Sequence, residues 1–199
     1  MIQFSDQEIA NERLILDSAT ELYYLGHNLT LRNCTLVIKV PKRALVVAHT
    51  RFIECTFMVK RELKSFRWES AHLQGCTFTG RFRGNDFGSW PNRPNEGSVQ
   101  NCDFSAARLD ECRFLGCDVT TLRFPRWPCF TILHPYARHH ELAEYPWPGD
   151  IGRIDAEFWA ETPATTVAMT YSAPDLAKRS GTTPEAIKAV LEKLDGVYF

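Results

Sequence analysis

The chain has 199 residues, 44% hydrophobic and 24% charged, with a formal net charge of −1, enough to bury a core as one ordinary domain or one with a small appendage. Such a balance excludes a globally basic nucleic-acid binder or membrane-surface protein, so any contact of that kind must come from a local patch. Residues 1–17 lack the basic start and apolar run of a secretory signal, and no window approaches the roughly 18 apolar residues of a membrane span; a cytoplasmic location without membrane contact is expected, with the seven cysteines mostly reduced.

Residues 1–25 are expected to supply an N-terminal cap and first strands, and a repeat begins at about 26. "NCTL" at 33–36, "ECTF" at 54–57 and "GCTF" at 75–78 place Cys34, Cys55 and Cys76 at intervals of 21 residues. Leu36, Phe57, Phe78 and Val99 follow the same interval, and Val119 comes 20 residues later. Leu31, Phe52 and Leu73 form a second column that Phe114 joins, and Leu45, Phe66, Phe87 and Leu109 form a third. Between 102 and 124 the large apolar residues Phe104, Leu109, Phe114, Val119 and Phe124 recur every five residues, a period that neither a helix nor an ordinary strand has. Four such pentads fill one coil. A coil cannot bury its apolar face alone, so stacked coils are predicted to share a continuous core.

Small residue, any residue, large apolar residue, then two mostly polar residues: this unit resembles that of the pentapeptide-repeat family. The resemblance is close over 97–126, where Cys102-Asp103-Phe104 and Cys117-Asp118-Val119 match best, and looser over 26–96. It implies a mainly β fold, a right-handed parallel quadrilateral β-helix over 26–128, with the small residue and the large one facing inward. Cys34, Cys55 and Cys76 are then core residues. Zinc-type pairs of close cysteines are missing from the sequence, and parallel Cβ vectors disfavour disulfides between coils; no metal, no cofactor and free thiols are expected.

Within this stretch "GSWPNRPNEGS", inside 88–98, is rich in turn residues and is predicted to be a loop. Trp90 and Arg93 are residue types common at binding hot spots, so Trp90 is either an exposed anchor or a cover folded back on the coil. Lys60, Arg61, Lys64, Arg67, Arg81 and Arg83 concentrate positive charge in the middle coils. Trp90, Arg93, Arg81, Arg83, Lys64 and Arg67 are therefore the candidate partner-binding residues.

After Phe124 five prolines, at 125, 128, 135, 146 and 148, rule out a continuing central strand. Residues 129–172 are read as an aromatic, proline-rich capping segment, with Trp127, Phe130, Tyr145 and Trp147 in its core. "ARHHELAEY" reads as a short solvated helix, and the spacing of His134, His139 and His140 beside Cys129 and Glu141 fits no zinc pattern. Residues 173–199 form a C-terminal α-helical unit that resembles a helix-turn-helix through Leu176, Ala177, Gly181, Ile187 and Val190. Its second helix opens on Thr183-Pro184-Glu185, a cap, a first-turn proline and an acid.

No phosphate loop, nucleophile elbow or metal-binding helix marks an enzyme. Residues 1–128 carry 17 basic and 14 acidic residues, a net +3, and residues 129–199 carry six and ten, a net −4. That acidic unit, with no Arg, Asn or Gln on its would-be recognition helix, is a poor DNA reader. The basic coils are also the wrong sign for the DNA mimicry by which some pentapeptide-repeat proteins bind gyrase. A non-catalytic protein-binding module is expected, with an immunity protein that neutralises a toxin enzyme as its specific form. A DNA-binding regulator and a gyrase protector are the alternatives; nucleic acid is not the expected partner, and a homodimer is left open.

Overall fold

The computed structural model describes residues 1–93 and 95–199. It is mainly β, a parallel solenoid of about four turns followed by a short helical region. The first coil holds β1 (Ile2–Phe4), β2 (Glu8–Ala10) and β3 (Arg13–Leu16). The later coils hold β4 (Tyr23–Arg32), β5 (Thr35–Ile38), β6 (Leu45–Ile53), β7 (Thr56–Lys64), β8 (Ala71–Gln74), β9 (Thr77–Arg83), β10 (Asp86–Gly88), β11 (Ser98–Gln100), β12 (Ala107–Asp110) and β13 (Cys112–Leu115). One parallel sheet runs β1-β4-β6-β8-β11 and a second runs β3-β5-β7-β9-β12. Thr35 pairs with Thr56 and Thr56 with Thr77, which is the 21-residue interval of the cysteines expressed as register.

Each repeat turns a corner just before its cysteine. Asn11, Asn33, Glu54, Gly75 and Asn101 all have positive φ, between 50° and 64°, the left-handed region that Gly and Asn enter at least cost. From Asn33 onward the next residue is a cysteine that points inward, whereas Glu12 after Asn11 is exposed. Cys34, Cys55, Cys76 and Cys102 are at most 1% exposed, and the Sγ of Cys55 donates to the carbonyls of Leu31 in the preceding coil (3.3 Å) and of Ile53 (3.4 Å). Asn85 does the same at another corner, its Nδ2 donating to Leu63 O at 2.8 Å and Arg83 O at 3.0 Å. The inward small residues are therefore both spacers and second donors at the corner, since Ile53 O and Arg83 O already accept from Asn33 N (2.9 Å) and Ser65 N (2.8 Å). All seven cysteines are free thiols, and burial pushes Cys55 up to about 11 and Cys117 up to about 12.

Two columns of rings fill the interior. Phe78 stacks on Phe57 (4.7 Å, 7°) and on Phe104 (4.4 Å, 9°), and Phe87 stacks on Trp68 (5.7 Å) and Phe114 (5.2 Å). This corrects three columns expected from the sequence. Val99 pairs with Leu73, 26 residues away, and does not follow Phe78; Leu109 pairs with Phe82 and Phe114 with Phe87. The segment between β10 and β11 lengthens the coil from 21 residues to 26. An insertion of one pentad leaves a five-residue pattern in phase, so counting fives passes over it.

The end after β13 is closed by residues that leave the parallel ladder. Following β14 (Cys129–Leu133), α1 (His139–Glu144) and α2 (Ile151–Glu161), β15 (Thr166–Ser172) adds antiparallel to β13 and to β14. Next come α3 (Ala173–Ser180), α4 (Pro184–Leu191) and β16 (Val197–Tyr198), the last pairing with β14. Phe130, Trp147, Trp159, Tyr171, Leu176 and Ile187 are buried in a second core there, while Trp127 and Tyr145 pack half-buried at its margin. Thr183 caps α4 by accepting from Ala186 N at 3.2 Å, with Pro184 in the first turn and Gly181 left-handed between the helices. Among the described residues no helix is long and apolar enough to cross a membrane.

Candidate functional site

The middle coils present charge through an irregularity in β7. Val59 pairs with Gly80 and Leu63 with Phe82, so Lys60, Arg61 and Glu62 stand opposite Arg81 alone. A bulge of this kind leaves its extra residues unpaired and turns their side chains outward. Gly80 makes it possible. A Cβ at this position would lie 2.0 Å from Val59 O, and its φ of +103° is open to glycine. Lys60, Arg61 and Arg81 are exposed, and among the described residues none of the three lies within ion-pair distance of a carboxylate. Arg81 is beside Arg108, and Lys64 is beside Arg83. Four of these cations thus lie on adjacent strands, roughly 4.8 Å apart.

The six residues singled out from the sequence divide across one corner, formed by Ser65 and Gly84 (φ 49° and 60°). Lys64, Arg81 and Arg83 lie on one side. Lys64 pairs with exposed Glu62 at 3.1 Å, and Arg83 reaches Glu111 at 3.1 Å and Asp110 at 3.6 Å. On the other side the Arg67 guanidinium lies 4.8 Å from the centre of the Trp90 ring and that of Arg113 lies 5.6 Å from it. Trp90 is half-buried and held by two cations, each such contact contributing about 0.5–1 kcal/mol at an exposed site. Arg93 pairs with the Trp90 backbone and lies 3.5 Å from Glu96. The fold therefore supports the folded-back arrangement for this ring, and the cationic bulge is the freer surface.

Sequence reading missed the anchors beneath this face. Asp86, 4% exposed, receives both arms of Arg113 at 2.7 Å and 3.0 Å, a bidentate pair that fixes the guanidinium plane under Trp90. The signal available was weak: "NDF" at 85–87 sets a polar residue before the large apolar one, but Arg113 is 27 residues away.

A second polar cluster joins the solenoid to the C-terminal region. Arg179 of α3 donates to both oxygens of Asp110 (3.2 and 3.1 Å), Ser172 N donates to Asp110 at 3.1 Å, and Arg108 binds Asp175 at 2.7 Å. Asp155 of α2 is 5% exposed, and among the described residues it has no ion-pair partner within 4.0 Å. Burial, opposed by Arg179 and reinforced by Glu111 and Asp110, raises its carboxyl from 3.8 to about 6. Between those values the folded chain keeps a proton that the unfolded chain has released, so stability falls as pH rises through the window, by about 3 kcal/mol in full. Asp155→Asn is therefore expected to raise the melting temperature at about pH 8 and to leave it nearly unchanged near pH 4, where the native carboxyl is already neutral. Melting curves of both proteins across this range check it; equal gains at both ends would sink the assignment.

The His139 and His140 rings lie 3.9 Å apart, and Arg138 pairs with Glu141 at 2.7 Å; among the described residues no group of three or more metal-ligating side chains comes together. Comparison of the chain with protein-family models, curated proteins and solved structures found no match.

Proposed function

We propose that the protein is a non-catalytic docking scaffold of the pentapeptide-repeat type, a right-handed quadrilateral helix that receives an acidic protein surface on its cationic bulge. The observation that carries this reading is the set Lys60, Arg61 and Arg81, exposed and without carboxylate partners among the described residues, on a ladder held by two parallel sheets. The backbone frame is held by its ladders and loses little freedom on association, and unpaired cations gain from a complementary field. The specific form proposed is an immunity protein covering an acidic region of a toxin enzyme inside the cell.

DNA reading by α3 and α4 is the weaker alternative. Arg179 and Asp175 of α3 are engaged with the solenoid, and on and just after α4 the solvent charges are balanced, Glu185 and Glu192 against Lys193, with Lys188 over Trp127 at 5.4 Å. That surface lacks the net positive charge that phosphate contacts require.

Charge reversal tests the reading. A Lys60→Glu, Arg61→Glu, Arg81→Glu variant, compared with the parent as bait in extracts of the native host at two salt concentrations, is expected to keep its melting temperature and lose a salt-sensitive protein partner. A partner retained in full by the variant would overturn the docking face. Loss of salt-sensitive DNA affinity in its place would move the face to nucleic acid.

A further inference from the structure

The outer face of the first sheet carries a row that the docking reading does not use. Thr30, Arg51, His72 and Ser98 lie in register on β4, β6, β8 and β11. Beside them β4 slips against β6, since Gly26 pairs with Ala48 while Leu29 pairs with Thr50. His27, Asn28 and His49 occupy that slip with positive φ, and the His27 and His49 rings stack at 6.2 Å. The slip opens a depression of about 370 Å³ lined by Asn28, Thr30, His49, Arg51 and His72. A second depression adjoins it, lined by Arg51 and His72 again with Ser98, Gln74 and Gln100.

Every polar side chain in both linings has an N–H or O–H to donate, and neither lining contains a carboxylate. Of the nearby acids, Glu8 pairs with Arg32 at 3.3 Å, and Asp6 accepts from the Nδ2 of the lining residue Asn28 at 3.1 Å, which takes up part of that amide's donor capacity. Arg51 has no ion-pair partner among the described residues. His72 Nδ1 is 3.0 Å from Ser98 Oγ; with the hydroxyl donating, the ring proton is on Nε2 and available to a ligand. Burial, and after it the neighbouring Arg51 and His49, hold the His72 imidazole below its usual value.

We infer that this paired depression is a binding site for a small phosphate-bearing molecule, with the Arg51 guanidinium at its centre and a phosphoryl group seated on either side. Arginine's planar fork suits a phosphate oxygen pair. Because Arg51 and His72 line both halves, a diphosphate engages both and a single phosphate engages one.

The test uses the whole chain, inorganic pyrophosphate and orthophosphate as probes, and the ring signals of His49 and His72 followed by NMR alongside calorimetry. Saturable pyrophosphate binding that perturbs both rings is expected, tighter than orthophosphate, and weakened about tenfold or more in Arg51→Gln, which corresponds to about 1.4 kcal/mol. Arg13→Gln, at an exposed cation of β3 on the other parallel sheet, is expected to bind like the parent. Absence of saturable binding by the parent, equal binding by Arg51→Gln, or the same loss in Arg13→Gln would each overturn the site. Arg51 is exposed, so its replacement leaves the fold intact, and a melting curve confirms that before binding is measured.

Discussion

Phe78→Ala is expected to destabilise the protein by about 3–5 kcal/mol, the range for truncating a buried aromatic side chain. Phe78 is 0% exposed. It stacks on Phe57 and Phe104 and meets Trp68, Phe82 and Phe87 edge-on at 5.9, 6.0 and 5.5 Å. Two reasons put the loss at the upper end. The cavity would open in the middle of a ring column whose neighbours are each held by their own backbone ladder, so they cannot collapse into it. The lost stacking adds about 0.5–1.5 kcal/mol for each aromatic pair beyond area burial. Urea unfolding read at equilibrium should show a lower midpoint at unchanged slope. A loss below about 1 kcal/mol would mean that the column does not support the coil.

Arg179→Leu is the second large effect, about 3 kcal/mol, the low end of the range for breaking a buried pair, because Asp110 is buried while Arg179 is a quarter exposed. Asp110 is 3% exposed and draws on Arg179 and on the Ser172 amide. Without the guanidinium Asp110 keeps Arg83 at 3.6 Å and the Ser172 amide, and both Asp110 and Asp155 lose the cation that opposes the rise burial gives their carboxyls. The guanidinium also lies 5.9 Å from the Tyr171 ring and 3.4 Å from Glu111, so the replacement loosens α3 from the corner of the solenoid. Adding Asp110→Asn to the leucine variant is expected to recover part of the loss, and the four-protein cycle measures the coupling. Strict additivity would show that the two residues act separately.

Much of the architecture is legible in the sequence for a physical reason. A repeated coil places equivalent residues in equivalent surroundings, so a demand made once by packing is written several times. Cys34, Cys55 and Cys76 could be read as inward-facing core residues on that ground, and Thr183-Pro184 as a helix start because capping is local. The candidate face was partly legible. Its cations cluster in the sequence, but their freedom depends on the bulge opposite Arg81, which only pairing reveals. Trp90 shows the opposite limit, since the guanidinium that fixes its ring on one side comes from Arg113 in the next coil.

By itself the sequence determined the 21-residue coil before the loop, the inward positions of Cys and Phe and the helix pair at the end, because each follows from short-range spacing or periodic burial. The tertiary structure decided which coil each residue joins after the loop, so that Phe104 and not Val99 continues the column of Phe78. It also decided the partners of Asp86, Asp110 and Asp155, and the row of Thr30, Arg51, His72 and Ser98. The physical reason is common to all of these. A solenoid brings residues 20 to 70 positions apart into contact through stacking and ion pairing, and charged partners at that separation leave no periodic trace in the chain.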